Sequence, residues 1–247
     1  MNRKHRISRY VLLPVVSGAV FAVYLIARDA TTDSQAGARI VAQGTTKGAI
    51  ACARCHGFDA ASDGSGAFPA LAGQTAYYLS HQLQNFASGQ RQNAIMEPIA
   101  KGLTPQEMES VAQYYANATP RSIPRTAASP ELLARGRQLA LVGDASARVE
   151  NCVSCHGPNG EGEAPTVPYL AGQYKGYIQV QLLMFKKGYR KAEQMTRIAH
   201  NLPEEHIEAI AAYFDQLPLP LNPKNEEETW NKSKTESQSS KRTTPKK

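Results

Sequence analysis

The chain of 247 residues reads as an all-α protein of two tandem, related domains. Three observations predict this. The sequence repeats itself at a nearly constant offset, its apolar residues recur at helical spacing, and no segment shows the strict alternation of a half-buried strand. The repeat is direct. Pro69-Ala70-Leu71-Ala72-Gly73-Gln74 matches Pro168-Tyr169-Leu170-Ala171-Gly172-Gln173. Tyr78, Leu83 and Phe86 match Tyr177, Leu182 and Phe185, and Gly89-Gln90-Arg91 matches Gly188-Tyr189-Arg190. Tyr114-Tyr115 matches Tyr213-Phe214, all at an offset of 99.

The elements follow in order. Gly37–Gly44 and Glu131–Val142 read as the first helix of each copy. Tyr77–Ala87 and Tyr177–Lys187 read as middle helices. Thr104-Pro105-Gln106-Glu107 has the form of a capping box with proline at the first helical position, and its helix runs to about Ala118. Pro203-Glu204-Glu205 opens the matching helix, where Ile207, Ile210, Ala211 and Phe214 share one face. The domains are read as 34–119 and 131–221, with a proline-rich linker over 120–130.

The two copies carry Cys52-Ala53-Arg54-Cys55-His56 and Cys152-Val153-Ser154-Cys155-His156, offset by 100, each followed by glycine. C-x-x-C-H is the attachment string of a c-type haem: two thiols join the porphyrin covalently, and the adjacent histidine is placed to ligate the iron. The strings use all four cysteines. A thioredoxin-like dithiol would sit in a strand–helix pattern, which is missing. A zinc site seldom crowds three ligands into five residues. Disulfides would leave the matched His56 and His156 unexplained. A domain of about 90 residues is also small for an independent apolar core, and a buried haem would fill much of it.

The second axial position decides between electron transfer and ligand binding. A ligand needed in both copies recurs at the repeat offset. Met96 and Met195 are the methionines that pair at 99, whereas Met108 aligns with Ile207 and Met184 with Asn85. None of His81, His200 and His206 pairs with another histidine. Both methionines lie in a polar segment before the last helix of their copy; the alternative is that they fill core. Pro69 and Pro168 follow the haem histidines by 13 and 12 residues, so a carbonyl of that segment could accept the other imidazole N–H; the alternative is a turn proline. Arg91 and Arg190 suit haem propionates or a solvated surface. Gln74 and Gln173 suit a propionate or a domain interface.

Charge is uneven. The formal net charge of +7 resides in the ends, and the body over 31–221 balances sixteen basic against sixteen acidic residues. A nucleic-acid partner is excluded, because no basic face is clustered in the body. Lys186, Lys187, Arg190, Lys191 and Arg197 surround the second methionine and favour the reduced state there, hence a higher potential for the second haem. Residues 1–33 hold a basic start and the uncharged run Val11–Ala27, read as an export signal or, preferentially, a retained membrane anchor. Residues 222–247 are charged and poor in aliphatic side chains, read as a disordered tail.

With C-x-x-C-H-G, P-x-L-A-G-Q, G-x-R and a paired methionine in each copy, residues 34–221 resemble the dihaem cytochrome c4 family, two class I cytochrome c domains. The resemblance implies domains facing each other about a pseudo-twofold axis, two His/Met haems (His56 with Met96, His156 with Met195), and periplasmic electron transfer without enzymatic activity. It implies redox partners such as a cytochrome bc1 complex and a terminal oxidase. The haem subunit of a flavocytochrome, such as a sulfide dehydrogenase, is similar and stands as the alternative.

Overall fold

The computed structural model describes residues 35–119, 125 and 127–220. The first copy contains α1 (35–43), α2 (Ala53–His56), α3 (Ala76–Ala87), α4 (Met96–Lys101) and α5 (Pro105–Ala116). The second repeats the order with α6 (Pro130–Val142), α7 (Val153–His156), α8 (Lys175–Lys186), α9 (Glu193–Asn201) and α10 (Glu204–Gln216). Among the described residues β-pairing is confined to isolated bridges such as Arg91 with Arg190. The N-terminal run Val11–Ala27 and the tail 222–247 lie outside the described residues; among the described residues no helix is long and apolar enough to cross a membrane.

Local chemistry sets the boundaries. The Thr104 hydroxyl accepts from Glu107 N at 3.2 Å, and Glu107 Oε2 accepts from Thr104 N at 2.7 Å, so the capping box forms. Ser129 Oγ accepts from Leu132 N at 3.2 Å and starts α6 at Pro130, one residue before the expected helix and inside the expected linker. Sequence periodicity did not reveal α4 and α9, the short helices that carry Met96 and Met195 within the polar segments before the last helix of each copy. Asn93 Oδ1, accepting from Ile95 N and Met96 N, fixes the start of α4.

Each copy packs its first and last helices across one another. In α5, Met108, Val111, Ala112 and Tyr115 form the buried stripe; in α10, Ile207, Ile210, Ala211 and Phe214 do so. Met108 and its repeat partner Ile207 are both core. The crossing requires glycine at matched positions. A Cβ on Gly37 would lie 2.2 Å from Ser110 O, and one on Gly136 would lie 2.0 Å from Ala209 O. Both obstacles are backbone, so the helices must separate to accept a methyl group.

Gly136→Ala is therefore expected to destabilise the second domain by about 1–3 kcal/mol, the range for overpacking. Urea unfolding of the holoprotein measures it. An unchanged midpoint would show that α6 and α10 tolerate separation.

Candidate haem sites and the interface between them

Each C-x-x-C-H string folds as one helical turn. His56 N donates to Cys52 O at 3.0 Å, and His156 N donates to Cys152 O at 3.0 Å. The turn sets two thiols and an imidazole together. Gly57 and Gly157 then leave it at φ +72° and +79°, a conformation that disfavours any side chain. His56 and His156 are buried, 8% and 7% exposed.

The imidazoles share one arrangement. His56 Nδ1 donates to Pro69 O at 3.3 Å, and His156 Nδ1 donates to Pro168 O at 2.8 Å. A carbonyl can only accept, so Nδ1 carries the proton and Nε2 keeps its lone pair. Burial holds both histidines below their ordinary pKa, against the opposing effect of the proline carbonyls, so both are neutral at pH 7. Burial also pushes the Cys52 and Cys152 thiols up to about 11. Among the described residues no group of three or more His, Cys, Asp or Glu side chains is arranged to hold a bare metal ion. Two adjacent thiols beside a neutral, oriented imidazole are instead the donor set of a covalent haem.

Met96 and Met195 are both half-buried, and Met195 packs on the core of its domain. In the first copy Tyr115 packs edge-on against His56, with ring centroids 6.4 Å apart, and its hydroxyl donates to Gly57 O at 3.2 Å. Phe214 takes its place in the second copy and makes no such bond.

The arginines lie where the two copies meet. Arg91 Nη1 donates to Gln82 Oε1 at 2.9 Å, and its Nη2 donates to Tyr177 Oη at 2.6 Å and Gln181 Oε1 at 2.7 Å. Arg190 mirrors it: Nη1 donates to Gln181 Oε1 at 2.9 Å, and Nη2 to Tyr78 Oη at 2.7 Å and Gln82 Oε1 at 3.0 Å. Each guanidinium carbon also lies 4.4 Å from the centroid of a phenyl ring, Phe86 or Phe185. The backbone repeats the reciprocity, with Gln92 N donating to Tyr189 O at 2.7 Å and Lys191 N to Gln90 O at 3.0 Å. Reciprocal contacts between equivalent residues define a twofold relation, here a pseudo-twofold axis between Arg91 and Arg190. Burial lowers the Arg91 pKa; Tyr177 opposes this and Arg190 reinforces it. Burial alone would raise Tyr177, but the two guanidiniums bring it below its usual value. Among the described residues no carboxylate pairs with either buried guanidinium.

Sequence reasoning missed Tyr78, Tyr177, Gln82 and Gln181 as functional residues, although both pairs stand at the repeat offset. The open choice at Gln74 and Gln173 falls to the interface. Gln173 Oε1 accepts from Ala70 N at 3.0 Å and its Nε2 donates to Ala70 O at 2.9 Å. Gln74 Nε2 donates to Tyr169 O at 3.4 Å. Tyr169 Oη donates to Ala72 O at 2.9 Å, and Tyr174 Oη to Ala61 O at 2.6 Å.

An all-helical pair of domains, each with a C-x-x-C-H turn and a carbonyl-oriented imidazole, defines a c-type cytochrome with two haem centres. A family model described as cytochrome c matches residues 34–119 and 136–218. A thiosulfate dehydrogenase electron acceptor of Stutzerimonas stutzeri is 39% identical over 191 residues, covering 72% of this chain and 84% of the relative. A cytochrome c4 of Pseudomonas aeruginosa is 33% identical over 181 residues, covering 71% and 88%. A solved thiosulfate dehydrogenase from Marichromatium purpuratum superposes with a TM-score of 0.69 at 37% identity, over 75% of this chain and 40% of that one. The chain thus spans less than half of that structure's chain. The chain belongs to the cytochrome c family: it is a dihaem, cytochrome c4-like electron-transfer protein, with haem c joined at Cys52 and Cys55 and at Cys152 and Cys155.

The glutamine contacts are unequal, which gives a test. Gln173→Ala strands a buried N–H and a C=O of Ala70 and is expected to cost about 1–3 kcal/mol; Gln74→Ala loses one long bond across the interface, beside a local one from Thr75 N, and is expected to cost less than about 1 kcal/mol. Urea unfolding followed at the haem absorption separates them, and equal losses would refute the unequal grip.

Proposed function

We propose that the protein accepts electrons one at a time from a thiosulfate-oxidising catalytic subunit in the periplasm and passes them toward a terminal oxidase of a respiratory chain. A cytochrome bc1 complex would be a second donor of the same kind. We assign His56 and Met96 to the first iron and His156 and Met195 to the second. The observation that carries this reading is the repeated pair: a buried neutral imidazole, oriented by Pro69 or Pro168, with a half-buried methionine at the same offset in each copy.

A bound haem iron supplies reversible one-electron chemistry, and thioether ligation favours its reduced form. The protein's residues do the rest. The proline carbonyls fix each ring and raise its basicity. Met96 and Met195 would hold the iron's remaining position in each copy, which suits a carrier rather than a catalyst. Arg91 and Arg190 each use three of five N–H donors on protein partners, and neither has a carboxylate partner among the described residues. Buried charge requires a counter-charge, so haem propionates at the axis would complete both. The electron-acceptor relatives support a partner that holds the substrate. The basic start and apolar run at residues 3–27 support export and tethering to the inner membrane.

Met195→Ala is expected to convert one haem to high spin and let it bind carbon monoxide while the other stays low-spin, with Met96→Ala giving the mirror result. Wild-type protein that binds carbon monoxide readily at both haems would overturn the methionine assignment.

The partner reading is tested separately. Thiosulfate plus the catalytic subunit of a thiosulfate dehydrogenase should reduce both haems, and thiosulfate alone should not. No reduction by the pair would remove the proposed donor while leaving the ligands in place.

A further inference from the structure

The second domain carries a cavity of about 690 Å³ between the end of α8 and α9. Its lining includes Lys186, Lys187, Lys191 and Arg197 against a single acid, Glu193. Two of the four cations have structural uses. Lys186 Nζ donates to His200 O at 3.0 Å and Leu202 O at 2.8 Å, closing the end of α9, and Arg197 pairs with Glu150 at 2.8 Å. Lys187 and Lys191 are exposed and have no ion-pair partner among the described residues.

The repeat supplies an internal control. At the offset of 99, the four cations correspond to Ala87, Ser88, Gln92 and Pro98 in the first copy. The charges remaining there are Glu97 and Lys101, which neutralise each other at 2.6 Å. The same helices therefore fold without this charge, so folding does not require Lys187 and Lys191. The body of the chain is neutral, so the groove is a local concentration rather than part of a basic surface. Beside it Tyr189 is 52% exposed, where the first copy has Gln90. An exposed aromatic ring among basic side chains suits a protein interface.

We infer that the groove between α8 and α9 is the docking surface for an acidic face of a redox partner protein, so that electrons cross between proteins at the second domain and not at the matching face of the first. This rests on the reading of Met195 as an iron ligand, because α9 carries both Met195 and the groove's Glu193, Thr196 and Arg197. A partner seated there lies against the helix that carries Met195. Opposite charge raises the encounter rate and selects the orientation, and salt screens both effects.

The test uses the full dihaem protein in its ferric form and reduced plant-type ferredoxin, a small acidic iron–sulfur protein, as the probe. Stopped-flow reduction is followed from about 10 mM to 500 mM salt, which spans strong and negligible interaction between exposed charges. The wild-type rate constant should fall steeply with salt. Lys187→Gln with Lys191→Gln should lower the low-salt rate about three- to tenfold and flatten the salt dependence. Ser88→Glu with Gln92→Glu changes the net charge equally, on the matching face of the first copy, and should stay within about twofold of wild type. Equal losses in both variants, or no loss in the first, would overturn the inference. A rate that rises on deletion of residues 222–247 would also overturn it, by assigning the groove to Glu226, Glu227 and Glu228 of the chain's own tail. Carbon monoxide binding by Met195→Ala reports on the ligand reading independently of these rates.

Discussion

Two buried guanidiniums meet at the pseudo-twofold axis, and the domain arrangement depends on how their repulsion is offset. Arg91 and Arg190 are 6% and 8% exposed and have six side-chain hydrogen bonds and two phenyl faces between them. An unpaired buried charge is costly, so these contacts act as a set. They fix which faces of α3 and α8 look at each other, because Tyr78, Gln82 and Phe86 sit on one and Tyr177, Gln181 and Phe185 on the other. The interface then reaches the two buried imidazoles in two steps. Pro69 O holds His56, and the next residue, Ala70, is gripped by Gln173 of the other domain. Pro168 O holds His156, and the next residue, Tyr169, is bonded by Gln74. Each domain thus holds the segment that orients the other's imidazole.

Much of this was legible from the duplication. Position 96 pairs with 195, and the helices that bury Met108 and Ile207 follow from ordinary periodicity and a capping box. What stayed hidden was short or long-range. The six residues of α4 are too few for a periodic pattern, and its start depends on an Asn93 side chain that also suits a turn. The arginine network joins residues up to 112 positions apart, a distance that no local pattern encodes. The offset rule that singled out the methionines would also have singled out Gln82 with Gln181 and Tyr78 with Tyr177. What it lacked was a reason to expect amide and hydroxyl acceptors around an arginine.

The copies agree at the arginine pair and at the carbonyls that orient the imidazoles, and they diverge elsewhere, parts of the interface included. Thr75 caps α3 through Tyr78 N, whereas its counterpart Tyr174 gives up capping and donates across the interface to Ala61 O. Tyr115 reaches Gly57 O, and Phe214 makes no equivalent bond. Around α9 the second copy gathers lysines where the first has small or neutral residues.

These differences matter because a symmetric junction has no preferred direction. The reciprocal bonds at the axis present each domain to the other in the same way, so they can join two haems without ranking them. Ranking has to come from groups that break the symmetry: a hydroxyl near one imidazole and not the other, or net charge beside one methionine and not the other. Both kinds lie away from the reciprocal Arg91 and Arg190 contacts. A duplicated carrier can therefore keep its internal contact constant while its two outer surfaces adapt to different neighbours.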